Sequence, residues 1–398
     1  MSKVDVPLSN RLLARLHFDA PGLLTPNVRR FYSGTLLGAI GTGLVLPFFV
    51  VYFTQIRHFS LFTSEMLLAW ESVLGLAITP VYGTLVDKFG PSRILAVSMT
   101  VTSFAAVAIG FASTVPIAFA IATLFATGGA GLWGALTVLL SRFVPEERRQ
   151  DAFGINFMLI NLGIAVGGLV GASIVDLHSL RSFQVLYGLC GVLALADAAV
   201  VFSLRRFGGR PEVTERHADA VVEGWGVVLR DRRLLRFLGV SVLLMVCGYG
   251  SVEAGLSYFV VHIHHLPTLT VGLLFFFNTM TIVFGQIFML GRIKGKSRSM
   301  VVGAVGLFWG VSWLLATSSL ALGALAAIAT LCVGQVVFAL GETMWAPVSP
   351  AIVNDLAVEH LRGRYNALNG LVWGVSGTIG PLIAWALLTG GNGVAWTL

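Results

Sequence analysis

At 398 residues the chain is 56% hydrophobic and only 11% charged, whereas a soluble domain is about 25% charged, so an ordinary water-soluble fold is excluded. Its net charge of +7 does not indicate nucleic acid. Of 26 Lys and Arg residues, 24 fall in one alternating set of loops between apolar segments, and only Arg57 and Arg181 fall in the other. This is the positive-inside pattern of a polytopic membrane protein, whose basic loops stay in the cytoplasm.

Residues 1–30 carry Lys3, Arg11, Arg15, Arg29 and Arg30 and are too polar for a secretory signal, which fits a cytoplasmic N-terminal segment. A spanning helix needs ~20 mostly apolar residues. On that length the spans are expected near 31–56, 63–86, 93–112, 115–140, 153–175 and 181–204. The later ones are expected near 235–261, 268–291, 299–317, 319–345 and 365–388. The basic stretch 205–234 reads as a cytoplasmic linker between a first half, 31–204, and a second, 235–398. Val221–Arg236 within it reads either as an amphipathic surface helix or as a plain connector. Residues 393–398 resemble the start of a twelfth span, so the last helix is expected to be truncated.

The two halves resemble each other, as internal-repeat transporters do. A shift of 213 residues carries Glu146 to Glu359, Arg149 to Arg362, Asn156 to Asn369, Gly167 to Gly380 and Leu169 to Leu382. Asp87-x-x-Gly90-x-x-Arg93 likewise parallels Arg292-x-x-Gly295-x-x-Arg298.

The loop after the second span reads Gly83-Thr-Leu85-Val-Asp87-Lys88-Phe-Gly90-Pro-Ser-Arg93. It resembles the signature loop of the major facilitator superfamily, apart from Pro91-Ser92, where basic residues are usual. Gly83 would permit close packing, Gly90 a tight turn, and Asp87 could accept hydrogen bonds at a neighbouring helix terminus or pair with an inner-loop cation. The resemblance implies a gating role for Gly83, Asp87, Lys88, Gly90 and Arg93 on the cytoplasmic side. Gly163, Gly167, Gly168 and Gly171 in the fifth span look like a degraded form of the superfamily's antiporter signature, and form a small-residue packing face. Gly380-Pro381 occupies the matching place in the eleventh span. Pro47 at the end of the first span, and Gly341-Glu342-Thr-Met-Trp-Ala-Pro347, are similar to twelve-helix multidrug:proton antiporters. The Arg often found early in that family's fourth span is missing from Ile121–Gly131. The implied fold is all-α, with two six-helix halves related by pseudo-two-fold symmetry.

Carboxylates inside the spans are the first suspects for function, because a charge at the bilayer centre costs about 2.5–3.5 kcal/mol even on lenient scales. Such groups are expected to face a cavity or to carry a proton. Glu342 ranks first, since it matches the tenth-span carboxylate that drug:proton antiporters use; its bland alternative is a buried acid that fixes packing. Glu253 follows, beside Gly248, Gly250 and Gly255 where the helix could bend, and then Glu71. Asp197 is expected to pair with Arg205 or to be hydrated, and Glu65 to be a solvated end. No Lys or Arg lies inside any span beyond its terminal residues, where Arg93, Arg181 and Arg236 fall, which favours cationic or neutral cargo over anions. The 27 Phe and nine Met suit an adaptable apolar pocket, although Phe is common on any lipid-facing helix.

His262, His264 and His265 lack the further ligands a metal site needs. Cys190, Cys247 and Cys332 sit in apolar segments, with no spaced zinc or disulfide pattern. No phosphate-binding loop and no nucleophile–base arrangement is present, so neither cofactor nor enzyme chemistry is expected. The expectation is a monomeric secondary transporter of the plasma membrane that exchanges protons for lipophilic cationic or neutral compounds. A symporter or exporter of a neutral metabolite such as a sugar, and a non-transporting receptor or assembly factor, are the alternatives.

Overall fold

A computed structural model describes residues 23–207, 224–250, 255–256, 258–267, 269–388 and 397. Among them there is no β-strand, and ten helices are long and apolar enough to cross a membrane. The first six are α1 (Pro26–Ile56), α2 (Phe62–Phe89), α3 (Pro91–Ile109), α4 (Val115–Phe143), α5 (Glu146–Ile174) and α6 (Leu180–Ser203). A shorter α7 (Arg232–Met245) follows. Then come α8 (Thr270–Ile293), α9 (Arg298–Ser319), α10 (Ala324–Leu356) and α11 (Glu359–Leu388).

Local chemistry sets the ends. Thr25 caps α1 ahead of Pro26, Ser60 caps α2, and Asp231 caps α7 by accepting from the N–H groups of Arg233 and Leu234. Gly90, at φ +87°, stops α2 and starts α3. Gly295, its counterpart in the sequence repeat, has φ +75°. Both turns need the left-handed conformation that glycine adopts without a side-chain clash.

Several helices depart from the expected spans, and α4, α7 and α10 are the ones that bear on the site. α4 is interrupted between Gly129 and Leu132; a Cβ on Gly131 would run into Ser98 and the Tyr82 ring. α7 gives way to a π-helical turn at Val246–Gly250. Its loosened carbonyls are taken up by Ser376, which bonds the Met245 oxygen at 2.6 Å, and by Trp313, which bonds that of Cys247 at 3.0 Å. α10 runs eleven residues past its expected end at 345, through Pro347 and Pro350. A proline removes the helical hydrogen bond to the carbonyl four residues before it, and the Thr343 carbonyl that Pro347 leaves free accepts instead from the Gln286 amide of α8 at 2.9 Å. The stretch Val221–Arg236 is not one surface helix. Of its described part, Trp225–Val228 forms a single turn, and Asp231 then starts α7 afresh. Residues 389–396 and 398 lie outside the described residues.

Within the first six helices α1 packs on α5 and α6, α3 on α4 and α6, and α2 on α4. Among the later ones α8 and α9 pack on α10, and α7 on α11. α2 and α4 reach across to α11, while α8 and α10 reach across to α5. Each crossing contact therefore recurs six helices on. The local structure repeats as well. The 3-10 turns Glu146–Arg148 and Glu359–Leu361 each lead into a long helix. Each also carries a glutamate–arginine pair, Glu146–Arg149 at 4.0 Å and Glu359–Arg362 at 3.9 Å.

Candidate functional site

The end of the bundle that carries the Lys- and Arg-rich loops is held together at two corners. At the first, Gly83 and Gly363 bring α2 and α11 into backbone contact. A Cβ on Gly83 would lie 2.7 Å from that of Ala367 and 3.0 Å from the Gly363 carbonyl. Asp87 then accepts the N–H of Gly363 at 2.6 Å and that of Arg364 at 3.3 Å, with the Arg364 guanidinium 3.8 Å away. A carboxylate on the first N–H groups of a helix is favourable in both charge and hydrogen bonding. Lys88 instead lies over the Phe89 ring and Arg93 is exposed; among the described residues neither pairs with Asp87.

At the second corner Arg149 at the start of α5 reaches Asp355 near the end of α10, 2.7 Å away, and Arg298 of α9 pairs with the same carboxylate. Arg149 and Arg298 both stand out in the sequence repeat. Asp355, which joins them, emerges only once α9 and α10 are folded together.

Two adjoining cavities lie between the first six helices and the rest. One, of about 90 Å³, is walled by Trp133, Phe153, Tyr249, Trp345 and Trp373, with the amides of Asn156, Asn366 and Asn369. The other, of about 290 Å³, runs along α2 past Glu71, Gly75 and Thr79 and shares Trp133, Asn366 and Gly370 with the first. A water occupies about 30 Å³ of liquid, so the larger cavity has room for a small molecule. The break in α4 sets Trp133 where both cavities meet. Tyr249 is packed at 4.9 Å on Trp373, and Trp309, stacked at 5.0 Å on Phe338, backs this wall.

Glu71 is the only charged side chain lining either cavity among the described residues. It shares a helical face with Gly75 and Thr79, at four-residue spacing. Trp70, the residue before it, fixes the rotation of α2 by donating to Thr123 of α4 at 2.9 Å. The Oε1 of Glu71 is buried, and no protein group hydrogen-bonds it.

Glu342 is placed differently. It is 4% exposed, and Asn278 of α8 donates to its Oε2 at 2.6 Å. It sits one helical turn from Trp345 and Ala346 of the cavity wall and is absent from the linings themselves. Glu253 lies outside the described residues, as does the Glu65 side chain. Asp197 does not pair with Arg205, which lies over Phe202. It is buried against Gly34 and Gly38 of α1, where the missing Cβ atoms leave room for its carboxyl, and its Oδ1 has no hydrogen-bond partner.

The glycines of α5 do pack on α1. Cβ atoms on Gly163, Gly167 and Gly171 would strike Ala39, Ile40 and Leu44, whereas Gly168 has space. Gly380 is buried in α11, and the Pro381 side chain lies outside the described residues. His264 hydrogen-bonds Ser319 at 2.7 Å, and burial lowers its pKa from the ordinary histidine value. No metal-binding cluster occurs among the described residues.

A bundle of this kind, with crossing contacts at one end and a cavity between its two groups of helices, is that of a membrane transporter. Residues 31–381 match the profile of the Major Facilitator Superfamily, and the chain belongs to that family. It is a multi-span secondary transporter of small molecules and not an enzyme. It is 22% identical to the "Na(+), Li(+), K(+)/H(+) antiporter" of Planococcus maritimus, over 89% of this chain and 87% of that one. It is also 22% identical to "Multidrug resistance protein 1" of Bacillus subtilis (strain 168), over 58% of this chain and 57% of that one. Among solved structures, a bacterial homologue of the iron transporter ferroportin in an outward-facing state superposes with a TM-score of 0.73 at 14% identity, covering 94% and 95% of the two chains. FucP in its outward conformation gives 0.70 at 14% identity, covering 93% and 94%.

Proposed function

We propose that this transporter exports lipophilic cationic or neutral compounds in exchange for protons, with Glu71 as the group that cargo and proton share. The carrying observation is the pair of cavities: aromatic walls, one carboxyl without a protein partner, and no basic side chain. Aromatic faces attract cations, and the absence of Lys and Arg disfavours anions. Cargo and proton compete, because each neutralises the same carboxylate. The multidrug-resistance and antiporter relatives support this reading.

In this reading the basic end faces the cytoplasm of a plasma-membrane protein, and the described state is closed there by Asp87 and by Arg149 with Asp355. Alternating access proceeds by rocking of residues 31–204 against 235–398, each transporter acting as a monomer. Glu342, one turn behind the wall, is a second proton acceptor that exchanges only when α8 and α10 separate around Asn278. Glu253 keeps the supporting role that its position in the expected span 235–261 gives it.

A neutral, hydroxylated cargo is favoured by the three asparagines. Their carbonyl oxygens already accept hydrogen bonds from protein hydroxyls, however: that of Asn156 from Thr35, that of Asn366 from Thr137 and that of Asn369 from Ser349. We therefore place the organic cation first. Ethidium efflux from proteoliposomes tests this. Export that rises with an imposed pH gradient, inward for protons, is expected; export indifferent to the gradient would contradict it.

A further inference from the structure

An open groove of about 630 Å³ lies at the basic end, between the start of α7, the start of α9 and the end of α10. It is separate from both central cavities. Its apolar side is formed by Phe237 and Val240 of α7, Val302 of α9 and Leu356 of α10, and its polar side by Arg236, Arg298, Ser299 and Asp355. Val240 is 45% exposed, on a helix whose Leu243 is 67% exposed one turn on, so this side of the groove opens towards the bilayer.

Three features of the polar side call for an anion. Arg236 is exposed, and among the described residues no carboxylate pairs with it. Arg298 has its charge only partly answered, since Asp355 is divided between it and Arg149. α9 has no side-chain cap at Ser297, so its first N–H groups, which have no partner inside the helix, are turned towards this end. A free phosphate would use these groups and leave the apolar side uncovered. A phospholipid uses both, and basic pockets between spanning helices are known headgroup sites.

We propose that this groove binds an anionic phospholipid of the adjoining leaflet, with its phosphate between Arg236, Arg298 and the start of α9, and an acyl chain along Phe237, Val240 and Val302. Arg298 also holds Asp355, so the headgroup sits one ion pair away from Arg149 and the contact between α5 and α10. The lipid balances the surplus positive charge there and favours the state in which the basic end is closed. The inference does not depend on which cargo is carried or on Glu71.

Native mass spectrometry of the purified full chain tests it, with phosphatidylglycerol and phosphatidylethanolamine of identical acyl chains and with glycerol phosphate. Phosphatidylglycerol should be retained about fivefold better than phosphatidylethanolamine, the contribution of one basic side chain near a membrane surface. Glycerol phosphate should not be retained. Arg236→Gln, at an exposed position, and Ser299→Glu, which places a negative charge in the groove, should each remove the preference at unchanged thermal stability. Arg292→Gln should keep it, because that guanidinium lies over Phe288 outside the groove. Equal retention of the two lipids by the wild type, an undiminished preference in Arg236→Gln, or retention of glycerol phosphate as strong as that of the lipid would overturn the proposal.

Discussion

Glu71 and Glu342 are the same side chain, each within a spanning helix, and their surroundings differ. Glu71 faces a cavity between the two groups of helices, and its Oε1 has no protein partner. Glu342 is enclosed between α8 and α10, with the Asn278 amide on its Oε2. An acid in a membrane helix is therefore not by itself a cavity group. The helix face decides whether the carboxyl meets the cavity or its own framework.

The largest effect expected from breaking this contrast is on transport. Glu71→Gln should reduce gradient-driven ethidium efflux to the level of protein-free vesicles, and Glu342→Gln should lower it less. The reverse order would transfer the coupling role to Glu342. Stability should divide the other way. Glu342→Ala leaves the Asn278 amide without its acceptor, at a cost of about 1–3 kcal/mol, whereas Glu71→Ala removes no protein hydrogen bond to Oε1 and should stay within about 1 kcal/mol. Thermal unfolding of both in one detergent checks this.

The closing corners sharpen the comparison further. Asp87→Ala removes the acceptor for two N–H groups of α11, a loss of about 1.5 kcal/mol or more for hydrogen bonds to a charged group. A cysteine placed at Gly134 in a Cys-free background should then react about tenfold faster with an impermeant maleimide from the basic end. An unchanged rate would show that Asp87 does not hold that end closed.

The smallest effect is at Asp231. Burial raises its carboxyl pKa, but the hydrogen bond from Tyr365 and those from the Arg233 and Leu234 N–H groups outweigh this and hold it below the usual carboxylate value. Its contribution is thus fully present above about pH 4, the ordinary carboxylate value, and is lost as pH falls through the lower folded value. Asp231→Asn should be slightly less stable than the wild type at neutral pH, and the gap should close in acid. A gap that widened in acid would contradict the sign.

Much of the architecture was legible in the sequence because bilayer thickness sets span length and the cost of moving a cation sets loop charge. The Asp87 contact was readable in part, since a carboxylate beside Gly90 announces a helix-end role, although its partners on α11 were not. α10 continues past its expected end through Pro347 and Pro350, because a proline's effect depends on whether the carbonyl it frees finds another donor, here Gln286 of α8 for Thr343. Trp133, Tyr249 and Trp373 were lost among many aromatic residues, because an aromatic on a membrane helix gives no sign of whether it faces lipid or cavity. The ranking of Glu342 over Glu71 rested on resemblance; helix rotation, which Trp70 and Thr123 fix for α2, is not written in local sequence.

The account's central claim is that cargo and proton share Glu71. Proton release on ethidium binding, followed with a pH dye in weakly buffered detergent solution, tests it most directly. The wild type should release a proton as ethidium binds, and Glu71→Gln should release none. Undiminished release by Glu71→Gln would contradict the claim.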